Sequence, residues 1–322
     1  MSYTHSVLVT GGTANLGYYA TLEIARKHPD YEIIVSSRTD PDRAADKINQ
    51  TLKQKNVSFV PLDLSSTDNV RKFAADWTAA KHAPIKALVL NAGLQFSGGV
   101  EKTPEGIEKT FAINHVGHAL LFHLLWPQLA NDARVVVTAS GTHDPAQKSG
   151  LPDAIYNAAE ELAHPTAESE KYAGRQRYAT SKLVNVLWTY ALDRRLKQNA
   201  AGKNVTVTAM DPGLMPGTGL ARDASFIVQF LFTKVLPHII PLLRMLTTPN
   251  IHKPEESGAA LARLAVSEDV EGVSGKYFEG MREIDSSKDS YSMEKQDDLW
   301  TWTVNYVAKG DKVEAAKYNE LR

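Results

Sequence analysis

The chain is expected to fold as an α/β protein, a doubly wound parallel sheet of about seven strands with helices on both faces. Three observations lead there. Short β-rich runs alternate with stretches of helical spacing along most of the 322 residues, which implies parallel strands joined by crossover helices. Glycine- or asparagine-rich turns follow several strands at their C-terminal ends, where open α/β sheets bind ligands. The composition, 43% hydrophobic and 23% charged, is that of a globular chain with a large core.

Taken in order, Ser6-Val-Leu-Val-Thr10 is the first strand, ended by Gly11-Gly12. Leu16, Ala20, Leu22 and Ile24 recur at helical spacing and place a helix from Leu16 to Lys27. Glu32 to Val35 reads as the second strand and Asp42 to Lys53 as the second helix. Val57 to Pro61 is the third strand, and the helix after it starts near Ser66 and carries Val70, Phe73 and Trp77. Lys86 to Leu90 is the fourth strand. A long apolar-faced helix follows from about Pro104 to Leu129, with proline in the first turn, where its missing N–H is not needed. Arg134 to Thr138 is the fifth strand, Arg177 to Leu196 a helix, and Asn204 to Thr208 the sixth strand. Glu255 to Val266 reads as a helix, Gly275 to Phe278 as a short strand, and Ser292 to Ala308 as a terminal helix. Its Leu299, Trp300 and Trp302 are expected to pack against the sheet edge.

A single domain over residues 1–322 is expected, with two segments that break its rhythm. Residues 141–177 are polar, hold Pro145, Pro152 and Pro165, and read as a long loop insertion; long loops in compact domains tend to be functional. Residues 213–254 contain apolar runs at 226–232 and 236–246, interrupted by Lys234, Pro237, His238, Pro241 and Arg244. A membrane-spanning helix wants roughly 20 mostly apolar residues, so the segment reads as a substrate lid; contact with a membrane surface or a partner through 224–247 is the less favoured alternative.

The formal net charge is −1, which gives no electrostatic case for nucleic acid as a partner. The absence of cysteine excludes disulfides, thiolate catalysis and Cys-ligated metal. The chain enters an apolar strand by Val7, so a cytoplasmic protein without signal, transit or transmembrane segment is expected.

Chemistry is concentrated at a few points. Tyr178 and Lys182 stand four residues apart, one turn apart on one helix face. An ammonium beside a phenol favours the phenolate, and such a tyrosine can pass a proton to or from an alcohol or carbonyl oxygen. Thr10-Gly-Gly-Thr-Ala-Asn-Leu-Gly17, with Thr13, Asn15 and Leu16 inside it, lies between the first strand and the first helix, where a glycine-rich turn lets backbone approach a pyrophosphate. Ser37 and Arg38 close the second strand. An acid near this position would hold a ribose 2′-hydroxyl, whereas arginine accommodates a 2′-phosphate, so NADP(H) is favoured over NAD(H). Asp40 and Asp42 lie close enough to weaken that reading. His115, His118 and His123 on the long helix lack a third ligand at suitable spacing and read as structural; no metal site is expected. His143 reads equally as a pocket-lining or a solvated loop residue.

In this order the motifs resemble those of the short-chain dehydrogenase/reductase family over roughly residues 5–280, and within it members like the retinol dehydrogenases and protochlorophyllide reductases. Thr10 to Gly17 resembles the family's dinucleotide turn, with Asn15 in place of its middle glycine; Asn tolerates positive φ. Asp63-Leu64 resembles the adenine-contacting acid and its neighbour, Asn91-Ala92-Gly93 the N-A-G after the fourth strand, and Pro212-Gly213 the P-G after the sixth. Asn114, Ser140, Tyr178 and Lys182 resemble the catalytic tetrad. The family's threonine after P-G is Gly217 here, and the neighbouring Thr218 is expected to take the contact with the nicotinamide carboxamide or diphosphate.

The resemblance implies a Rossmann fold and an NADP(H)-dependent oxidoreductase that interconverts a carbonyl and a secondary alcohol on a bulky, mostly apolar small molecule. It implies Tyr178 as the proton donor or acceptor, Ser140 as hydrogen-bond donor to the substrate oxygen, Lys182 as holder of the nicotinamide ribose, and Asn114 as anchor of a water that links Lys182 to solvent. A C=C reductase of the protochlorophyllide-reductase type is one alternative, and a non-catalytic NADP(H)-binding sensor or scaffold another. Relatives commonly form dimers or tetramers through the long helix and the Tyr178 helix, so the resemblance allows a homodimer, unless the extra segments block or replace those contacts.

Overall fold

The computed structural model describes residues 3–199, 202–218 and 230–321. Its centre is one eight-stranded sheet in the order β3-β2-β1-β4-β5-β6-β7-β8. The strands are β1 (His5–Thr10), β2 (Tyr31–Ser36), β3 (Val57–Phe59), β4 (Ile85–Leu90), β5 (Leu129–Thr138), β6 (Thr206–Asp211), β7 (Lys276–Glu279) and β8 (Arg282–Ile284). β1 to β7 pair in parallel, and β8 adds an antiparallel edge. The expected seven strands are therefore joined by an eighth, only three residues long and too short to show a period.

Both faces of the sheet are buried, which is why its central strands read as largely apolar runs rather than alternating ones. Leu8, Ile34, Leu88, Leu90, Val135 and Val137 face one layer. Val7, Val9, Ile33, Val35, Ala87, Val89 and Val136 face the other. The second layer holds α1 (Asn15–Lys27), α2 (Ala44–Leu52) and α8 (Pro254–Val266). The first holds α3 (Thr67–Ala80), α4 (residues 109–125), α5 (Ala159–Ala163), α6 (Gly174–Asn199), α9 (Met293–Val307) and α10 (Lys312–Glu320).

α4 starts five residues later than Pro104 because Lys102 and Glu108 form an isolated bridge that turns the chain back first. The Glu108 carboxylate then caps the helix by accepting from Phe111 N–H at 2.6 Å. The turn Ala112–Val116 is π-wound and carries Asn114; such bulges are frequent at functional sites. α4 and α6 are buried nearly all round, since α9 and α10 cover the faces turned away from the sheet. His115 bonds Thr303 at 2.8 Å, and His123 stacks on Tyr318 with ring centroids 4.6 Å apart. Leu299 and Trp300 thus pack on a helical layer, not on the sheet edge. Full burial of a side chain such as Phe122 or Leu121 stabilises by about 1.5–3 kcal/mol each.

The two irregular segments border the C-terminal edge of the sheet. Residues 141–177 contain turns at Gly141–His143 and Pro145–Gln147, the short α5, and a turn at Ser169–Lys171. Of residues 213–254, the described part includes α7 (Ile240–Leu246). The apolar stretch at 226–229 lies outside the described residues. Among the described residues no helix is long and apolar enough to cross a membrane.

Candidate active site

The carboxyl ends of β1, β4, β5 and β6 meet at one cavity of about 1040 Å³. Gly11 to Gly17, with Ser37, form one end; Ser140, Tyr178 and Lys182 form the other; Asn91, Ala92 and Gly93 lie between them. Strand order produces this placement: the order reverses between β1 and β4, where connections leave in opposite directions and open a crevice.

The dinucleotide end fits a phosphate-bearing ligand. α1 begins without a side-chain cap, so its first N–H groups stay available at the cavity wall. A Cβ on Gly17 would lie 2.2 Å from Gly11 O, so only glycine lets the turn fold this tightly. Asn15 adopts φ 47°, the left-handed value that its substitution for glycine requires. Thr10 does not touch the cavity; its Oγ1 accepts from Asn91 N–H at 2.9 Å and Ala92 N–H at 3.0 Å and so ties β1 to the β4 turn.

At the catalytic end Tyr178 and Ser140 line the same wall of the cavity. Lys182 Nζ donates to Thr138 O at 2.9 Å and lies 5.5 Å from the centroid of the Tyr178 ring. Asn185 Nδ2 donates to the same carbonyl at 3.0 Å. Burial pushes the Tyr178 phenol above its ordinary value, the Asp211 charge pushes it further up, and the Ser140 side chain pulls it down. Burial brings the Lys182 ammonium down to about 8, against the pull of Asp211. Desolvation disfavours both charged forms, the phenolate of Tyr178 and the ammonium of Lys182.

The family model described as short chain dehydrogenase matches residues 5–159. Human polyprenol dehydrogenase is 29% identical over 91% of this chain and 82% of its own length. Human retinol dehydrogenase 13 is 29% identical over 94% and 84%. In fold, an uncharacterised protein from Mycobacterium paratuberculosis superposes with a TM-score of 0.67 at 24% identity, covering 95% of this chain and 94% of the other. Together these likenesses support a short-chain dehydrogenase/reductase.

The same likenesses support an oxidoreductase of the retinol-dehydrogenase-like branch, with the Rossmann sheet and nicotinamide-cofactor class of that family. Against that background several residues sit differently from expectation. Asn114 is off the cavity wall: its Oδ1 accepts from Leu94 N–H at 2.8 Å, and its Nδ2 donates to Leu94 O at 3.0 Å and Ser181 Oγ at 2.9 Å. Both hydrogens of that amide are used while Oδ1 keeps one lone pair, and the Asn114 main-chain carbonyl faces His118 Nδ1 at 3.3 Å. Thr218 is buried and donates to Met215 O at 2.8 Å, closing its own turn instead of reaching the cavity. Asp63 caps its own turn through Ser65, and Leu64 is buried under α4; neither lines the cavity. Arg38 is exposed beside Ser37, just outside the lining.

The histidines prove to be framework. His118 bonds Thr10 Oγ1 at 2.9 Å while His115 points the opposite way, to Thr303. Burial holds His115 and His123 down to about 3 and His118 to about 4, so all three are neutral. His143 is neither pocket-lining nor solvated: it is buried, with Nδ1 at 2.7 Å from Ser140 O and Nε2 accepting from Ser287 N–H at 3.1 Å. These bonds require Nδ1 to carry the proton and pin the Ser140 loop to the turn before α9.

Sequence reasoning missed Asp211 and Asn250, both on the cavity wall. Asp211 stands directly before Pro212-Gly213 at a strand C-terminus, a signal that was there to be read. Asn250, 39 residues further on, carried none.

Proposed function

We propose that the protein is an NADP(H)-dependent oxidoreductase interconverting a carbonyl and a secondary alcohol on a bulky, mostly apolar small molecule. The observation that carries this is the convergence of Ser140, Tyr178 and Lys182 on one cavity whose far end is the glycine turn. The bound nicotinamide supplies or accepts the hydride. In reduction Tyr178 Oη hands its proton to the carbonyl oxygen, and the Ser140 hydroxyl donates a hydrogen bond to the charge developing there. Lys182 uses one of its three N–H groups on Thr138 O, and the others would hold ribose hydroxyls. Gly11 to Gly17 would hold the pyrophosphate, Asn91 to Gly93 the middle of the cofactor, and Pro212-Gly213 the nicotinamide end.

Support for the 2′-phosphate comes from the neighbours of Arg38. Asp40 is engaged as a helix cap, accepting from Ala44 N–H at 2.8 Å, and Asp42 faces Lys47 at 3.8 Å, so neither acid neutralises the exposed guanidinium. An apolar substrate is supported by Leu151, Leu214, Met215, Leu236, Leu243 and Ile251 on the cavity wall, and by the long apolar alcohols in the names of the relatives. Leu236 and Leu243 come from the 213–254 segment, which accordingly acts as the lid; the connection 141–177 supplies the opposite wall.

The test is Tyr178→Phe. With a bulky apolar secondary alcohol that the wild-type protein oxidises and NADP+, turnover falls by at least 10³-fold while cofactor binding, read by fluorescence, is retained. A variant that keeps near-wild-type turnover refutes the reading.

A further inference from the structure

One charged group on the cavity wall has no part in the proton transfer just described. Asp211, the last residue of β6, is 3% exposed. Its Oδ1 accepts from Gly213 N–H at 2.9 Å and its Oδ2 from Asn250 Nδ2 at 2.6 Å. The backbone of Gly141, next to Ser140, packs so closely that a Cβ there would meet Asp211 Oδ2 at 2.9 Å. One carboxylate thus touches the Ser140 loop, the Pro212-Gly213 turn and the returning limb of the lid. No lysine or arginine pairs with it among the described residues.

Asn250 is built for this contact. Its Oδ1 is 3.1 Å from His252 Nε2, so the amide is oriented with its NH₂ toward Asp211. Its carbonyl accepts from Leu214 N–H at 2.9 Å, and Leu214 O accepts from His252 N–H at 2.9 Å, so the two limbs of the lid are zipped together at their base. Gly213 sits at φ 74°, and a Cβ on it would lie 2.4 Å from Asn250 Oδ1. Any side chain at 213 would push the amide off the carboxylate. Arg244, on the lid helix, donates to Ile251 O at 2.6 Å and to Glu256 Oε2 at 2.6 Å, which ties α7 to the same limb.

We propose that Asp211 and Asn250 form a latch in which Asn250 anchors the lid to a carboxylate that shares the cavity wall with Tyr178 and Lys182; Asp211 is a positioning residue for that pair. This rests on Tyr178 being the proton-transferring group. The titratable groups that feel Asp211 are Tyr178 and Lys182 from α6, His143 from the loop after β5, Tyr277 from β7 and His252 from the lid limb. The tyrosine and the lysine are the pair that line the cavity. The anion holds the tyrosine protonated and the lysine charged, which keeps the proton donor loaded. Removing the charge moves both groups to lower pH.

The experiment is the pH profile of kcat/KM for alcohol oxidation with NADP+, measured for Asp211→Asn and Asn250→Ala. Both limbs of the profile move to lower pH in D211N, the basic-form limb by about one pH unit, a tenfold change in the proton equilibrium. N250A keeps the anion: its profile stays in place, while KM for the apolar alcohol rises and proteolytic cutting within residues 230–249 quickens several-fold. A D211N profile that superimposes on wild type, or an N250A profile that shifts with it, overturns the proposal. If D211N does not fold, Asn250→Asp tests the same coupling with opposite sign, since a second carboxylate moves both limbs to higher pH; an unmoved profile again overturns it. Failure of the underlying reading shows separately, as Tyr178→Phe retaining turnover.

Discussion

Replacing Lys182 with methionine should make the protein more stable and much less active. The side chain is 3% exposed, and among the described residues Nζ has one protein acceptor, Thr138 O at 2.9 Å. Its charge is disfavoured by burial, which lowers its pKa from 10.5 to about 8. At about 1.36 kcal/mol per pH unit, keeping this ammonium charged at neutral pH costs about 3 kcal/mol of folding stability. The folded pKa lies below the unfolded one, so the unfolded chain binds the extra proton between about pH 8 and 10.5. The wild-type penalty is therefore complete below pH 8 and fades as pH rises through that window. Methionine keeps the volume and removes the charge, and Thr138 O keeps Asn185 Nδ2 as a donor at 3.0 Å, so no carbonyl is orphaned. Allowing about 1 kcal/mol for the lost hydrogen bond, K182M should gain about 2 kcal/mol at pH 7, seen as a rise in the urea midpoint. The gain should disappear above about pH 10.5, and turnover should drop by about 10²-fold or more. A K182M protein less stable than wild type at pH 7, or a gain that persists at high pH, would refute the electrostatic reasoning.

Further outcomes follow from the same geometry. Gly17→Ala places a methyl 2.2 Å from Gly11 O and should abolish cofactor binding, by fluorescence titration, and lower the thermal unfolding midpoint as well. Arg38→Ala should lower kcat/KM for NADP+ by about 10–100-fold and leave that for NAD+ nearly unchanged, since a charge-assisted hydrogen bond contributes roughly 1.5–3 kcal/mol; equal losses for both cofactors would remove Arg38 from the 2′-phosphate. Light scattering should return a monomer near 35.4 kDa, because α9 and α10 occupy the outer faces of α4 and α6; deleting residues 309–322 should lower the unfolding midpoint by exposing His123 and its neighbours.

What the sequence determined by itself is everything with a local period or an ordered spacing. Two-sided burial made the central strands β1, β4 and β5 largely apolar runs. The order of Thr10 to Gly17, Asn91 to Gly93, Ser140, Tyr178 and Lys182 placed these groups at successive strand ends, and the strand reversal between β1 and β4 then had to gather them. Asn15 could be read as left-handed because few other side chains tolerate that conformation. Tertiary structure alone decided what distant segments do to one another. Burial by the surrounding layers pushes the Tyr178 phenol up. His143 became a strut because Ser287, 144 residues away, presents its N–H. Asn114 became a clamp because Leu94 and Ser181 take both hydrogens of its amide. The lid's anchor, Asp211 to Asn250, joins a strand end to a segment whose sequence is apolar and irregular. A hydrogen bond across 39 residues leaves no period behind, and desolvation depends on the whole shell around a group, so neither is written in the spacing of the chain.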